Sequence, residues 1–205
     1  MEANNPMSKL DYVRIKQGKV NRNGWPITDD EAGDAAQLYH TLGCSYPKFF
    51  KMDNLCKWAW LGAEALLRSD DGGWLYDGLD KRNIALVLTT TDGCLEVDKR
   101  YAETLSTVPS PALFVYTLPN IMLGEICIRH GFTGEQRCTV QDDFDAEELL
   151  FQVKDLLMNR GATHCLFGMV DAVDGHHDVC LFWADAQNIQ SVTPAALQAV
   201  FCNAT

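Results

Sequence analysis

The chain has 205 residues, of which 47% are hydrophobic and 22% charged. That length can bury one sizeable core, and the balance of residue types excludes disorder as the default state. A formal net charge of −11 opposes nonspecific binding to nucleic acid or to an anionic membrane.

Met1 to Lys9 contain no apolar run of the signal-sequence kind, and no stretch approaches a membrane span. The expectation is a soluble, cytoplasmic protein without membrane contact. Residues 1–8 are polar and are expected to be disordered. The eight cysteines are Cys44, Cys56, Cys94, Cys127, Cys138, Cys165, Cys180 and Cys202. No pair has the short spacing of a zinc knuckle, and most sit in apolar runs, which fits buried reduced thiols. Arg14, Lys16, Lys19 and Arg22 form a basic cluster near the amino terminus, read as a solvated face.

In chain order, Tyr12, Val13 and Ile15 suggest a first strand, followed by a charged, turn-like stretch from Lys16 to Asn23. A loop with Gly24, Pro26 and Asp29-Asp30-Glu31 comes next. Asp53 suits a helix cap, and Leu55 to Leu67 is apolar on nearly every side, so that helix should be sandwiched. Asp70-Asp71-Gly72-Gly73 breaks it. Asn83 to Thr90 carries Ile84, Ala85, Leu86, Val87 and Leu88 without alternation, the mark of a strand covered on both faces. Leu95 to Leu105 reads as a short helix.

Residues 110–118 read as a loop feeding a buried helix over 119–130. Pro119 suits the first turn, and Gly131 the left-handed position just past the end. Gln136 to Val140 predicts a short strand. Asp145 with Glu148 makes a capping-box-like start for a helix carrying Leu149, Leu150, Val153, Leu156 and Leu157, and Gly161 closes it. Thr163–Val170 and Asp178–Trp183 read as an antiparallel pair around a loop containing Gly175. Thr193 and Pro194 begin a last helix running to about Cys202. Strands alternating with helices imply one layered α/β domain, 1–205, with a mostly parallel sheet.

The run from Ser110 through Pro119-Asn120 to Gly131-Phe132 resembles the segment before the nucleophile in the amino-terminal half of β-ketoacyl-acyl carrier protein synthases (3-oxoacyl-ACP synthases). Met52-Asp53 and its helix resemble that family's first-helix region. Gly161-Ala162-Thr163-His164-Cys165-Leu166-Phe167-Gly168 resembles the glycine-bounded run after the nucleophile helix. The likeness covers residues 45–172 in order. It implies one half of a thiolase-like fold: a five-stranded mixed sheet between helical layers, the fifth strand antiparallel to the rest. It further implies association along the edge strand 136–140, as a homodimer or as a heterodimer with a ketosynthase-like subunit. An acyl carrier protein is a possible second partner, in fatty-acid or polyketide-type biosynthesis.

Active members place a cysteine at the turn into the helix after the third strand, where amide donors and the helix dipole favour thiolate and oxyanion. Counting forward from Gly134 puts that position at Asp143, and counting back from Gly161 puts it at Phe144. Neither is cysteine. Cys138 and Gln141 both fall short of it. The family's two histidines belong to its carboxy-terminal half, which the resemblance over residues 45–172 does not include, so no catalytic residue carries over. The resemblance therefore implies a catalytically degenerate subunit that works by association. The alternative is an acyl-thioester enzyme using Asp142, Asp143 or Asp145 with groups supplied by a partner.

Three further groups have chemical potential. His164, Cys165, His176, His177 and Cys180 would suit zinc if the last hairpin gathered them, but alternation sends neighbours to opposite faces. Thr89-Thr90-Thr91-Asp92-Gly93-Cys94 sits at a strand exit, where α/β proteins bind ligands, without the glycine spacing of a phosphate loop; a turn is favoured. Glu125 is the odd charge on an apolar helix, and pairing with Arg129 is favoured over a buried acid of raised pKa. No motif calls for a cofactor or a metal.

Overall fold

The computed structural model describes residues 10–28 and 31–202. The expected disorder of residues 1–8 lies outside the described residues, as do Asp29 and Asp30 of the acidic run. Seven strands and seven α-helices are present among the described residues. The strands are β1 (Asp11–Lys16), β2 (Lys19–Arg22), β3 (Trp25–Pro26), β4 (Ile84–Thr90), β5 (Gln136–Val140), β6 (His164–Val173) and β7 (His176–Asp185). The helices are α1 (Ala35–Thr41), α2 (Asn54–Leu67), α3 (Leu95–Thr104), α4 (Pro111–Val115), α5 (Ile121–His130), α6 (Ala146–Asn159) and α7 (Pro194–Cys202).

One mixed sheet runs β3-β2-β1-β7-β6-β4-β5. It has seven strands rather than the expected five, because the stretch read as a turn is itself a hairpin. Gln17 and Gly18 both take positive φ (50° and 82°), and Asn23 and Gly24 repeat the pattern (53° and 85°). Two consecutive left-handed residues make the tight turn whose twist suits a hairpin. Leaving β2 and β3 aside, the other five run β1-β7-β6-β4-β5. There β4 pairs in parallel with β5 and β6, and β7 alone runs opposite to the rest.

Two cores lie on the two faces of the sheet. On one face α2 packs against the sheet and α5, burying Trp58, Trp60, Leu61, Leu66 and Leu67 with Leu86, Leu88, Met122 and Ile126. On the other, α6 and α7 bury Leu149, Val153, Leu156 and Leu197 against Val87, Phe167 and Phe182. All seven residues of β4 are buried, which explains its unbroken apolar run. Gly168 sits in β6 at φ 147°, and a Cβ there would lie 2.0 Å from the Cys180 carbonyl oxygen. Only glycine permits that approach between β6 and β7.

Boundaries shift in three places. The helix expected over 119–130 begins at Ile121, with Pro119 ahead of the capping residue Asn120, and ends as expected at the left-handed Gly131 (φ 77°). Residues 110–118, read as loop, contain α4, capped by the Ser110 hydroxyl on Leu113 N. The loop expected over 171–177 shrinks to Asp174-Gly175, another left-handed pair, so β6 and β7 are each ten residues long. α1, capped by Asp34 on Gln37 N, was not expected at all.

Candidate functional site

The turn between β5 and α6 is where the resemblance would place a nucleophile, and carboxylates dominate it. β5 lies at the sheet edge, and Gln141 N continues its ladder by donating to Thr90 O at 3.1 Å. Asp145 then caps α6: its Oδ1 accepts from Glu147 N at 3.0 Å and Glu148 N at 2.9 Å. The return half of the capping box is not made, since Glu148 Oε1 accepts instead from Gln152 at 2.8 Å. Asp143 Oδ1 accepts from Phe144 N at 2.7 Å. Phe144 itself is buried and stacks on Phe201, ring centroids 4.3 Å apart.

The two counted positions thus have different fates. Asp143 is exposed and folds back on the next amide, whereas Phe144 serves the core beneath α6 and α7. The amides of Phe144, Glu147 and Glu148 at this helix start are bonded to carboxylates. Carboxylates at these positions favour the positive end of the helix dipole. An open cleft of about 560 Å³ lies over it, walled by Gln141 to Glu147 on one side and by Pro194, Ala195 and Gln198 of α7 on the other. Among its lining residues there is neither a cysteine nor a histidine. Cys138, the nearest thiol in sequence, is part-buried in β5, and desolvation pushes its pKa up to about 11. Burial does the same to Cys44 (about 11) and to Cys94, Cys127 and Cys180 (about 12). Cys56 and Cys165 are raised further by the same cause. These seven are protonated thiols at neutral pH and poor nucleophiles.

The hairpin residues do not converge. His164 and His176 fall at opposite ends of β6–β7, paired with Asp185 and Val173 respectively. Cys165 and Cys180 are fully buried in the second core. His177 stacks on Trp58 at 3.7 Å and accepts from Gly18 N at 3.0 Å. Among the described residues no group of three metal-ligating side chains comes together.

Glu125 overturns the expected pair with Arg129. It is buried, with Lys48 Nζ 2.7 Å from Oε2 and Tyr116 OH donating to Oε1 at 3.2 Å. Arg129 turns instead to Glu64 of α2, which is fully buried; Arg129 Nε lies 2.6 Å away, and Arg68 Nη2 lies 3.1 Å away. The sequence gives no sign of this partner, because the two helices that meet are 65 positions apart at that contact. The amino-terminal basic residues are also used internally. Arg14 is buried against Asp178 and the Phe201 carbonyl, Lys16 pairs with Asp178 at 3.2 Å, Lys19 with Glu31 at 3.7 Å, and Arg22 with the Arg68 carbonyl and Asp70.

No protein-family model matches the sequence, and no curated protein matches it. Solved structures do. The ishigamide ketosynthase/chain length factor superposes with a TM-score of 0.58 at 15% identity, over 85% of this chain and 60% of that one. A ketosynthase in complex with its chain length factor, from Xenorhabdus doucetiae, superposes with a TM-score of 0.55 at 16% identity, over 85% and 77%. The chain has a ketosynthase-like, thiolase-type fold. It spans 60% of the length of the first of these neighbours. No helix among the described residues is long and apolar enough to cross a membrane.

Proposed function

We propose that this chain is a catalytically degenerate ketosynthase-like subunit, corresponding to the amino-terminal half of a β-ketoacyl synthase. It acts in polyketide- or fatty-acid-type biosynthesis by associating with a ketosynthase. The observation that carries this reading is the turn 141–145, where aspartates occupy the amides of Phe144, Glu147 and Glu148 and no thiol is offered. An enzyme using Asp142, Asp143 or Asp145 would need a base or acid beside them, and the cleft lining supplies no histidine.

Association is the remaining route to function, and β5 is suited to it. Parallel pairing uses alternate residues, and the bonds Leu86 N to Glu135 O and Gln141 N to Thr90 O fix which ones. The backbone groups of Gln136, Cys138 and Val140 therefore face away from β4. The Arg137–Asp155 ion pair at 2.8 Å holds α6 beside this edge. Phe151 and Met158 share a helix face with Asp155 and are 68% and 52% exposed, as Val140 is at 57%. An open edge flanked by apolar side chains is completed by another strand.

That the second structural neighbour is a ketosynthase bound to its chain length factor supports a partner of the same kind. An acyl carrier protein is a further proposed partner of the assembly; the paired basic residues near the amino terminus are not its docking patch. Sedimentation at micromolar concentration, alone and with a co-expressed ketosynthase, tests the proposal together with amide exchange. The expected result is a dimer or a stable complex, with the amides of 136, 138 and 140 protected. A monomer under both conditions, with those amides exchanging freely, contradicts it.

A further inference from the structure

The turn after β4 gathers more hydrogen-bond donors than it uses for itself. Thr90 Oγ1 and Thr91 N donate to Asp171 Oδ1 at 2.7 and 2.8 Å, and Asp92 N reaches the same oxygen at 3.2 Å. Thr91 Oγ1 donates to Oδ2 at 2.7 Å. Gly93 N donates in turn to Thr90 Oγ1 at 3.0 Å, so the proton of that hydroxyl is left for the carboxylate. Two successive backbone amides and two hydroxyls thus converge on one carboxylate at the carboxyl end of a parallel strand. That is how α/β proteins hold an external anion. Here the anion belongs to the chain.

Asp171 stands directly across from Asp178 in the β6–β7 pair, an unfavourable placement for two carboxylates. The two are neutralised separately. Asp178 takes Arg14 and Lys16, whereas Asp171 is met by the four donors of the turn. Asp171 is only 9% exposed, yet it forms part of the wall of a cavity of about 320 Å³ that also meets Asp92, Lys16, His176 and His177. We infer that the Thr90–Gly93 turn is a carboxylate-binding cradle kept closed by Asp171. Removing that one side chain opens it, through the adjoining cavity, to a small external carboxylate such as formate or acetate. Nothing in this depends on the missing nucleophile or on a partner.

The test is thermal unfolding of the wild type, Asp171→Ala and Asp171→Ala/Thr91→Val in sodium formate and in sodium chloride of equal ionic strength. Asp171→Ala should melt below the wild type. Formate should then raise its midpoint saturably, with about a tenfold gain in the folding constant when formate is near ten times its dissociation constant. Chloride should not do this, and the double variant should lose most of the gain. An equal response of wild type and Asp171→Ala to formate contradicts the cradle, as does an equal response of the single and double variants. If Asp171→Ala folds only on refolding in formate and not in chloride, the cradle is supported; failure in both contradicts it. Asp171→Asn supplies the second check, because its one amide oxygen can serve the three donors at Oδ1 but its NH2 removes the acceptor of the Thr91 hydroxyl, and the charge is lost. It should melt below the wild type, and an unchanged midpoint overturns the inference.

Discussion

Glu64 is the most consequential buried charge in the molecule. It has no exposed side-chain surface, and two guanidinium groups meet it, one of which lies over the rings of Tyr46, Trp60 and Trp74 at 5.4 to 5.7 Å. Removing the carboxylate leaves those cations without their anion inside the α2–α5 contact. Glu64→Gln should cost about 3 kcal/mol, read as a lower denaturant midpoint; a loss below about 1 kcal/mol would show that solvent already screens the pair. His130 sits in the same cluster, its Nδ1 3.0 Å from Tyr76 OH. Burial, then Arg129, Lys81 and Arg68, lower its pKa from 6.5 to about 3, and Glu64 Oε1 at 3.8 Å does not offset them. Unfolded His130 therefore binds a proton that the folded state refuses between those values. Stability is complete above pH 6.5 and falls as pH drops toward 3. His130→Gln should flatten the slope between pH 6.5 and 5, leaving there the smaller contributions of His164 and His177, whose burial also lowers their pKa values; below that Asp71, Asp80, Glu135 and Asp155, lowered by their hydrogen-bond partners, add their own. A slope unchanged in His130→Gln would contradict this. Glu64 and Arg68 stand at i+4 on α2, but the Arg129 half of the cluster was not legible in the sequence, where Glu125 and Arg129 at i+4 formed the obvious pair. Local spacing cannot see a partner on another helix.

Elements were far more legible than contacts. Asp53, Asp145 and Gly131 cap as their positions imply, since a cap depends on two or three neighbouring residues. Asp145→Ala should cost about 1 kcal/mol, and the drop in midpoint should be matched by fraying of the first turn of α6 in amide exchange. The misses have local causes too. Gln17-Gly18 and Asn23-Gly24 are hairpin turns hidden in a charged stretch whose strands, β2 and β3, are only four and two residues long. Gly168 was read as part of a family-like run, yet its physical reason lies across the sheet, in the carbonyl of Cys180. Gly168→Ala should prevent β6 and β7 from closing and yield little folded protein. A well-folded Gly168→Ala with a wild-type midpoint would contradict the close approach.

At the scale of the whole molecule, the alternation of strand and helix specifies a layered α/β fold, and the ketosynthase resemblance specifies how its central strands run. The number of strands was not legible, because the added hairpin sits beyond the stretch that carries the resemblance. The absence of a cysteine at the position that the resemblance implies was legible, but not that carboxylates hold the amides of Phe144, Glu147 and Glu148. At the β5 edge, Phe151→Glu should weaken association about tenfold or more, as loss of an aromatic anchor does, while the monomer keeps its melting midpoint because that ring is exposed. Association unaffected by Phe151→Glu would move the interface elsewhere.

The proposed loss of acyl-transfer chemistry is tested most directly by intact-mass spectrometry after incubation with acyl-CoA. The wild type should remain at its own mass, and Asp143→Cys should not condense substrates, because no histidine lines the cleft to act beside the thiol. A stoichiometric acyl adduct on the wild-type chain, mapped to Cys138 or to the turn 141–145, would contradict the degenerate reading.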